Sequence, residues 1–257
     1  MIAKSTLPMR RMRLQSGFTL IELSVATLIG LFLLGGLLTI VQDMRRTFTN
    51  QNQMSQMQDS ERLAMTLITD VIQEAGYFPD PTLETLAGAM LSTVPFNQTS
   101  AQAIAGTHNA AAGDTISVQF KTAPNDGVIN CRGTSNLTGA NQVFVSTFSL
   151  DAAGNLNCTL SGTQGVFPTV ALVTGVKNLQ ILYGVKTNFA LANDNADTYL
   201  NAAQMNANAI NWQNIICVKV TLVFDNSVLQ ASQPGQPATI SFTRVITVMS
   251  NGGVNTA

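Results

Sequence analysis

A chain of 257 residues can form one large or two small domains, and 46% apolar content against 11% charged residues excludes a disordered tail. A net charge of -1 gives no general electrostatic case for nucleic-acid binding.

Lys4, Arg10, Arg11 and Arg13 open the chain with no acid among them. The positive-inside bias keeps such a leader in the cytoplasm and sends the rest of the chain across the membrane. Met9 or Met12 would start a shorter leader that is still basic. Across residues 18–41 the one ionisable side chain is Glu22, and the run of about 24 residues exceeds the roughly 20 that a helix needs to cross a bilayer. A secretory signal has a shorter apolar core, about 7 to 15 residues, and small residues at its cleavage site. Here the core is longer and no A-x-A comes after it.

An acid inside a spanning helix costs on the order of 2.5 to 3.5 kcal/mol at its centre and less near its end. Glu22 has two readings. In one it snorkels or is neutralised by a proton near the helix start, where the helix dipole favours negative charge. In the other, cleavage before Phe18 frees an α-amino group, and Glu22 of one subunit neutralises that amine on its neighbour when helices bundle.

At Gly17, Phe18, Thr19, Leu20, Ile21, Glu22 and Leu23 the chain resembles type IV pilins, whose signature is Gly before the cut, Phe after it, then TLIEL. The resemblance implies that a prepilin peptidase cuts between Gly17 and Phe18 and methylates the new amine of Phe18. Glu22 then takes the family's subunit-registering role.

No Pro occurs between Pro8 and Pro79, and residues 43–75 mix polar side chains with Met54, Met57, Leu63, Ala64, Leu67, Ile68, Val71 and Ile72 at steps of three and four. This predicts an amphipathic continuation, with Asp59 and Arg62 able to pair at i,i+3 and Gly76 and Pro79 marking the stop. A helix over 18–75 would be about 58 residues, roughly 87 Å. Its first half belongs in lipid or a filament core, and its second lays an apolar stripe on a sheet. Gly30, Gly35 and Gly36 weaken it in water and permit close helix contact in lipid. Many pilins have a Pro late in the apolar run; this chain has none there.

After Tyr77 the texture changes to short β-rich runs between Gly, Asn, Asp and Pro. Strands are expected at 115–120, 142–150, 156–160, 179–185, 215–224 and 240–249. In the fifth, Ile216, Val218, Val220, Leu222 and Phe224 alternate with Lys219 and Thr221, the period of a half-buried strand with one wet face. Residues 151–155 and 233–236 look like turns, and the Asn-, Ala- and Gln-rich stretch 188–211 reads as a long surface excursion. The whole is α+β, with the C-terminal half of the pilin helix packed on an antiparallel sheet domain. The expected organisation is a leader over 1–17, a helix over 18–76 and an extracytoplasmic domain over 77–257. Within the helix, 18–41 forms the membrane or filament-core part and 42–76 the amphipathic part.

Three cysteines suit an oxidising compartment if two of them pair. Cys131 and Cys158 flank β runs at comparable loop positions and Cys217 sits inside a strand, so Cys131 is expected to bond Cys158, stabilising the fold by roughly 3 kcal/mol. Three reduced thiols are the alternative, and Cys217 reads as a small buried hydrophobe.

Beyond the N-terminus the chain resembles the PilW class of minor pilins. The helix end Arg62, Leu63, Ala64, Leu67, Asp70, Ile72 runs into Ala75, Gly76 and Tyr77; later come Cys131 with Gly133, residues 156–158, and Gly175, Val176, Leu179, Gln180, Tyr183, Gly184 and Val185. Trp212, Val218, Lys219 and Val220 resemble the W-x-x-V-x-x-V-R strand, with Lys219 in place of the usual Arg. Phe78 and Pro79 stand where the class often has Gly-Cys, and Lys186 where it often has Asp. The resemblance implies a priming factor for pilus assembly at or near the tip, serving adhesion, twitching motility and DNA uptake. Its expected partners are the prepilin peptidase, other minor pilins, the major pilin, a tip adhesin and the inner-membrane assembly platform. A minor pseudopilin of a type II secretion system shares the leader, helix and carboxylate. A DNA-binding competence pilin would need a basic, aromatic patch, and basic residues are few: Lys121, Arg132, Lys177, Lys186, Lys219 and Arg244.

Enzyme readings have little to draw on. His108, in the loop GTHNAAAGD, is the sole His. No Walker-type or G-x-G-x-x-G motif occurs, and acidic residues are scattered. Asn193, Asp194, Asn195 and Asp197 supply oxygens at close spacing without an EF-hand pattern, so no metal and no cofactor is expected.

Overall fold

The computed structural model describes residues 17–96, 102–188, 195–226, 230 and 235–251. The basic leader, Asn193, Asp194 and the first half of the 233–236 connection lie outside the described residues. The chain divides into two compact units, residues 1–49 and 50–257, and one helix, α1 (Leu20–Gln73), contributes to both.

In the first unit, helical residues 20–49 would extend about 45 Å, more than the roughly 30 Å hydrocarbon core of a bilayer. None of its most apolar window is buried. Its hydroxyls turn back on the helix: Ser24 Oγ donates to Ile21 O at 2.8 Å, Thr27 Oγ1 to Ser24 O at 2.9 Å and Thr39 Oγ1 to Gly36 O at 2.7 Å. This leaves an apolar exterior suited to lipid or to other helices.

In the second unit α1 is amphipathic. Ala64, Met65, Ile68, Val71 and Ile72 are buried, as is Ala75 just beyond the helix end, and they share one core cluster with Phe120, Phe148, Leu179, Ile181 and Val220. Leu63, expected in the stripe, is half exposed, and Met65 is buried instead. At about 100° per residue the stripe centres between Ala64 and Ile68, which leaves Leu63 on the far side. Among the described residues Asp59 and Arg62 form no ion pair. The helix closes as expected at Gly76, whose φ of 75° is the left-handed conformation that ends helices, with its N–H donating to Gln119 O at 2.9 Å.

The described strands all pair antiparallel. One sheet holds β1 (Ile104–Thr107), β2 (Thr115–Thr122), β3 (Gln142–Leu150), β4 (Leu156–Gly162) and β5 (Gly165–Val166) in that order, with β6 (Val170–Val173) also on β4. The other holds β7 (Val176–Val185), β8 (Thr198–Leu200), β9 (Ile215–Asp225) and β10 (Thr239–Thr247) in the order β10-β9-β7-β8. The 151–155 turn joins β3 to β4. There the exposed Asp151 carboxylate accepts the N–H groups of Asn155 and Ala153, each at 2.9 Å, and those bonds with the amides of Asn155 and Asn157 hold its pKa down to about 2.

Two expectations change. The stretch 188–211 is not simply a loop: it contains β8 and α3 (Ala202–Ala207), the short helix α2 (Leu86–Ala89) lying earlier in the chain, and Ala202 and Met205 are buried. An Asn201–Gln204 capping box starts α3, with Gln204 N–H donating to Asn201 Oδ1 at 2.9 Å and Asn201 N–H to Gln204 Oε1 at 2.9 Å. In β9 the alternation breaks at its start, where Ile215 and Cys217 are buried and Ile216 only partly. A register shift opposite Gly184 and Val185 adds one residue there, and alternation resumes from Val218 to Phe224.

Candidate assembly segment

Gly17, Phe18 and Thr19 precede the helix and are exposed, Phe18 at 84%. Thr19 acts as the N-cap: its carbonyl accepts from Glu22 N–H at 3.1 Å and Leu23 N–H at 3.2 Å, and its hydroxyl lies 3.4 Å from Glu22 N. Glu22 is the acid of the first turn, at the third helical position, where unpaired N–H groups and the helix dipole favour negative charge. Among the described residues it makes no ion pair.

In the second unit Cys131 and Cys158 form a disulfide with Cα atoms 5.9 Å apart, both fully buried. Cys158 sits within β4 rather than in a loop, while Cys131 lies in the long β2–β3 connection. That connection has one isolated bridge, Ile129 with Ser135, and is otherwise braced by Asp126, Asn130 and Asn136 bonding nearby main-chain groups. Cys217 is free and buried, its Sγ 3.4 Å from Tyr199 Oη.

His108 does not stand alone. Its Nδ1 lies 2.7 Å from Asp114 Oδ1, and the nearly buried Asp114 also accepts Asn109 N–H at 3.0 Å and Ile181 N–H at 2.7 Å. With Asp114 N–H donating to Leu179 O at 2.7 Å, the carboxylate clamps the 108–114 loop to β7. Asp197, grouped in sequence with possible cation ligands, accepts Asn188 N–H at 2.7 Å, Thr187 Oγ1–H at 2.7 Å and Thr187 N–H at 2.9 Å. These donors, that of Asn188 foremost, hold its pKa down to about 2. Its role is to brace the end of β7.

Glu74, which nothing in the sequence singles out, comes just after α1. Burial pushes its pKa up to about 7 against the opposing effect of the Ile129 amide, with Asp70 and Asp126 adding repulsion. A carboxyl that binds its proton more tightly when folded than unfolded destabilises the fold as pH rises. The thermal midpoint of the detergent-solubilised protein should therefore fall as pH rises from 4.5 to about 7, and Glu74→Gln should flatten that slope. An identical slope in the variant would remove Glu74 as its cause.

An exposed apolar helix bearing one acid in its first turn, continued as the spine of an antiparallel sheet domain, defines the pilin class. Residues 12–38 match the prokaryotic N-terminal methylation motif, and residues 142–253, from β3 through β10, match type IV pilus-assembly protein W, PilW. Both matches are consistent with a PilW-class pilin. That family is a structural component of pilus assembly, and membership implies interaction with other pilus components. The N-terminal motif and the long apolar helix are those of a membrane-anchored pilin. No curated protein and no solved structure matches the chain.

Proposed function

We propose that this chain is a minor pilin that primes type IV pilus assembly in the inner membrane and joins a minor-pilin complex at or near the tip. Residues 1–17 are the leader, 18–76 the pilin helix and 77–257 the exported domain, with the N-terminus cytoplasmic. Prepilin peptidase cuts between Gly17 and Phe18 and methylates Phe18, and Glu22 pairs with the Phe18 amine of a neighbour. Other minor pilins, the major pilin, a tip adhesin and the inner-membrane platform are its partners, and the complex serves twitching, adhesion and DNA uptake. The observation that carries this reading is the exposed apolar helix with Glu22 as the one acid of its apolar run, next to the Gly17–Phe18 junction. The match over 142–253 favours a pilus over a type II secretion pseudopilin. Mass spectrometry of protein from cells with active prepilin peptidase should find a chain beginning at N-methyl-Phe18. Retention of residues 1–17 would overturn the proposal.

A further inference from the structure

The second unit contains a cavity of about 580 Å³ where α3 and the Trp212–Asn214 turn lie against β1, within the roughly 300 to 1,000 Å³ typical of small-molecule sites. Its chemistry is unusual in one respect: among the described residues, none that lines it is ionisable. Phe96, Met205 and Trp212 supply apolar wall, and Gln102, Asn206 and Asn211 supply amides. Trp212, the sole tryptophan of the chain, is held rigidly. Its ring and that of Tyr183 make a T-shaped contact with centroids 4.9 Å apart, and its Nε1–H donates to Asn206 Oδ1 at 3.1 Å. That bond uses the Asn206 oxygen and leaves its NH2 group available as a donor.

The wall opposite α3 is a sheet edge. Among the described residues β1 pairs on one side only, with β2, and Ala103 O accepts from Gln119 N–H at 2.9 Å. By antiparallel alternation the N–H and C=O of Ile104 and Gly106 then point away from β2. The Gln102 amide occupies Ile104 O at 2.8 Å, while the amide and carbonyl of Gly106 are left at the cavity wall. A side chain at position 106 would overlap the buried hydroxyl of Tyr183, which has no partner among the described residues, so glycine lets this strand lie directly against that ring.

We propose that this cavity binds a neutral saccharide unit, a hexose or N-acetylhexosamine, with one face against Trp212 and its hydroxyls on Asn206 and the Gly106 main chain. The electron-rich face of an indole attracts the polarised C–H bonds of a pyranose, and a ring of hydroxyls meets amides that both donate and accept. A purely apolar occupant would leave the Gly106 and Asn206 groups desolvated and unpaired. A nucleotide would stack equally well, but its phosphate finds no cation in this lining.

Fluorescence of Trp212 in the full chain, held in a zwitterionic detergent free of sugar, tests the site directly. Titration with methyl glycosides of neutral hexoses and N-acetylhexosamines should give a saturable change for at least one of them, with half-saturation in the millimolar range. Methyl glucuronide and a thymidine oligonucleotide should give none. Asn206→Ala should weaken the response about tenfold or more. Ala209→Arg, which narrows the exposed rim without touching Trp212 or its hydrogen bond, should abolish it at an unchanged thermal midpoint. No saturable change across the neutral panel overturns the proposal, as does a stronger response to the glucuronide or the oligonucleotide, or undiminished binding by Ala209→Arg.

Discussion

Glu22→Ala is expected to leave prepilin processing intact while cutting incorporation into filaments by about a hundredfold or more. The proposed cut, at the Gly17–Phe18 bond, lies before the helix begins at Leu20. The cut therefore does not require the Glu22 side chain, and the variant should carry the same N-methyl-Phe18 terminus. Assembly differs, because the apolar face of residues 20–41 offers no other charge to a neighbour. Removing one member of an ion pair desolvated between subunits costs roughly 3 to 5 kcal/mol, and about 1.4 kcal/mol is a factor of ten in association. Glu22→Gln keeps the size and the Thr19 cap, so it separates charge from packing: it should assemble as poorly as the alanine variant. Sheared-pilus immunoblots alongside membrane levels of the mature protein read both effects. Pili carrying either variant at the wild-type level would defeat the pairing.

Legible features of the sequence are those written locally. The spanning run is a property of consecutive residues, since absence of charge over 18–41 apart from Glu22 needs no knowledge of the fold. The edges of β3, the bulk of β9 and the glycine stop at 76 announce themselves by period or backbone chemistry. The short strands β1, β5, β6 and β8 span two to four residues each, too few to show alternation. They exist because longer neighbours supply their hydrogen bonds. The helix α3 is hidden for a related reason: six residues rich in Ala, Asn and Gln look like a loop, although Asn201 and Gln204 carry the capping pattern.

Long-range effects are harder to read. Nothing near Glu74 in sequence predicts that its carboxyl is buried beside the Ile129 amide, and that burial is the main cause of its raised pKa. The departure at Ile216 comes from a bulge in β9, where two of its residues lie against one step of β7 at Gly184 and Val185, and only the pairing of the two strands reveals it. Trp212 resembles part of a strand motif, yet it lies in the 3-10 turn just before β9 and packs on Tyr183 from β7. The sole His lies beside a loop aspartate whose bond to the Ile181 amide of β7 spans 67 residues of sequence, a contact no local pattern announces.

Replacing Cys131 and Cys158 together by alanine should lower the stability of the second unit by roughly 3 kcal/mol, a large share of the 5 to 15 kcal/mol that natural domains have. The bond closes an interval of 27 residues, which includes the later part of the β2–β3 connection, a segment with little regular pairing of its own. Without it the unfolded chain regains the entropy of that loop, while the folded connection keeps only its side-chain braces and the bond from Cys131 N–H to Ser146 Oγ at 3.2 Å. Both sulfurs are buried in the core shared with Phe148 and Leu156, so serine would add an unpaired hydroxyl and exaggerate the loss. Alanine avoids that. Thermal and urea midpoints of the oxidised protein, the reduced protein and the double-alanine variant should rank in that order or with the last two equal. Cys217→Ala, lacking any crosslink to lose, should shift them less. A double-alanine variant as stable as the oxidised protein would show that the bond restrains nothing the rest of the fold does not already hold.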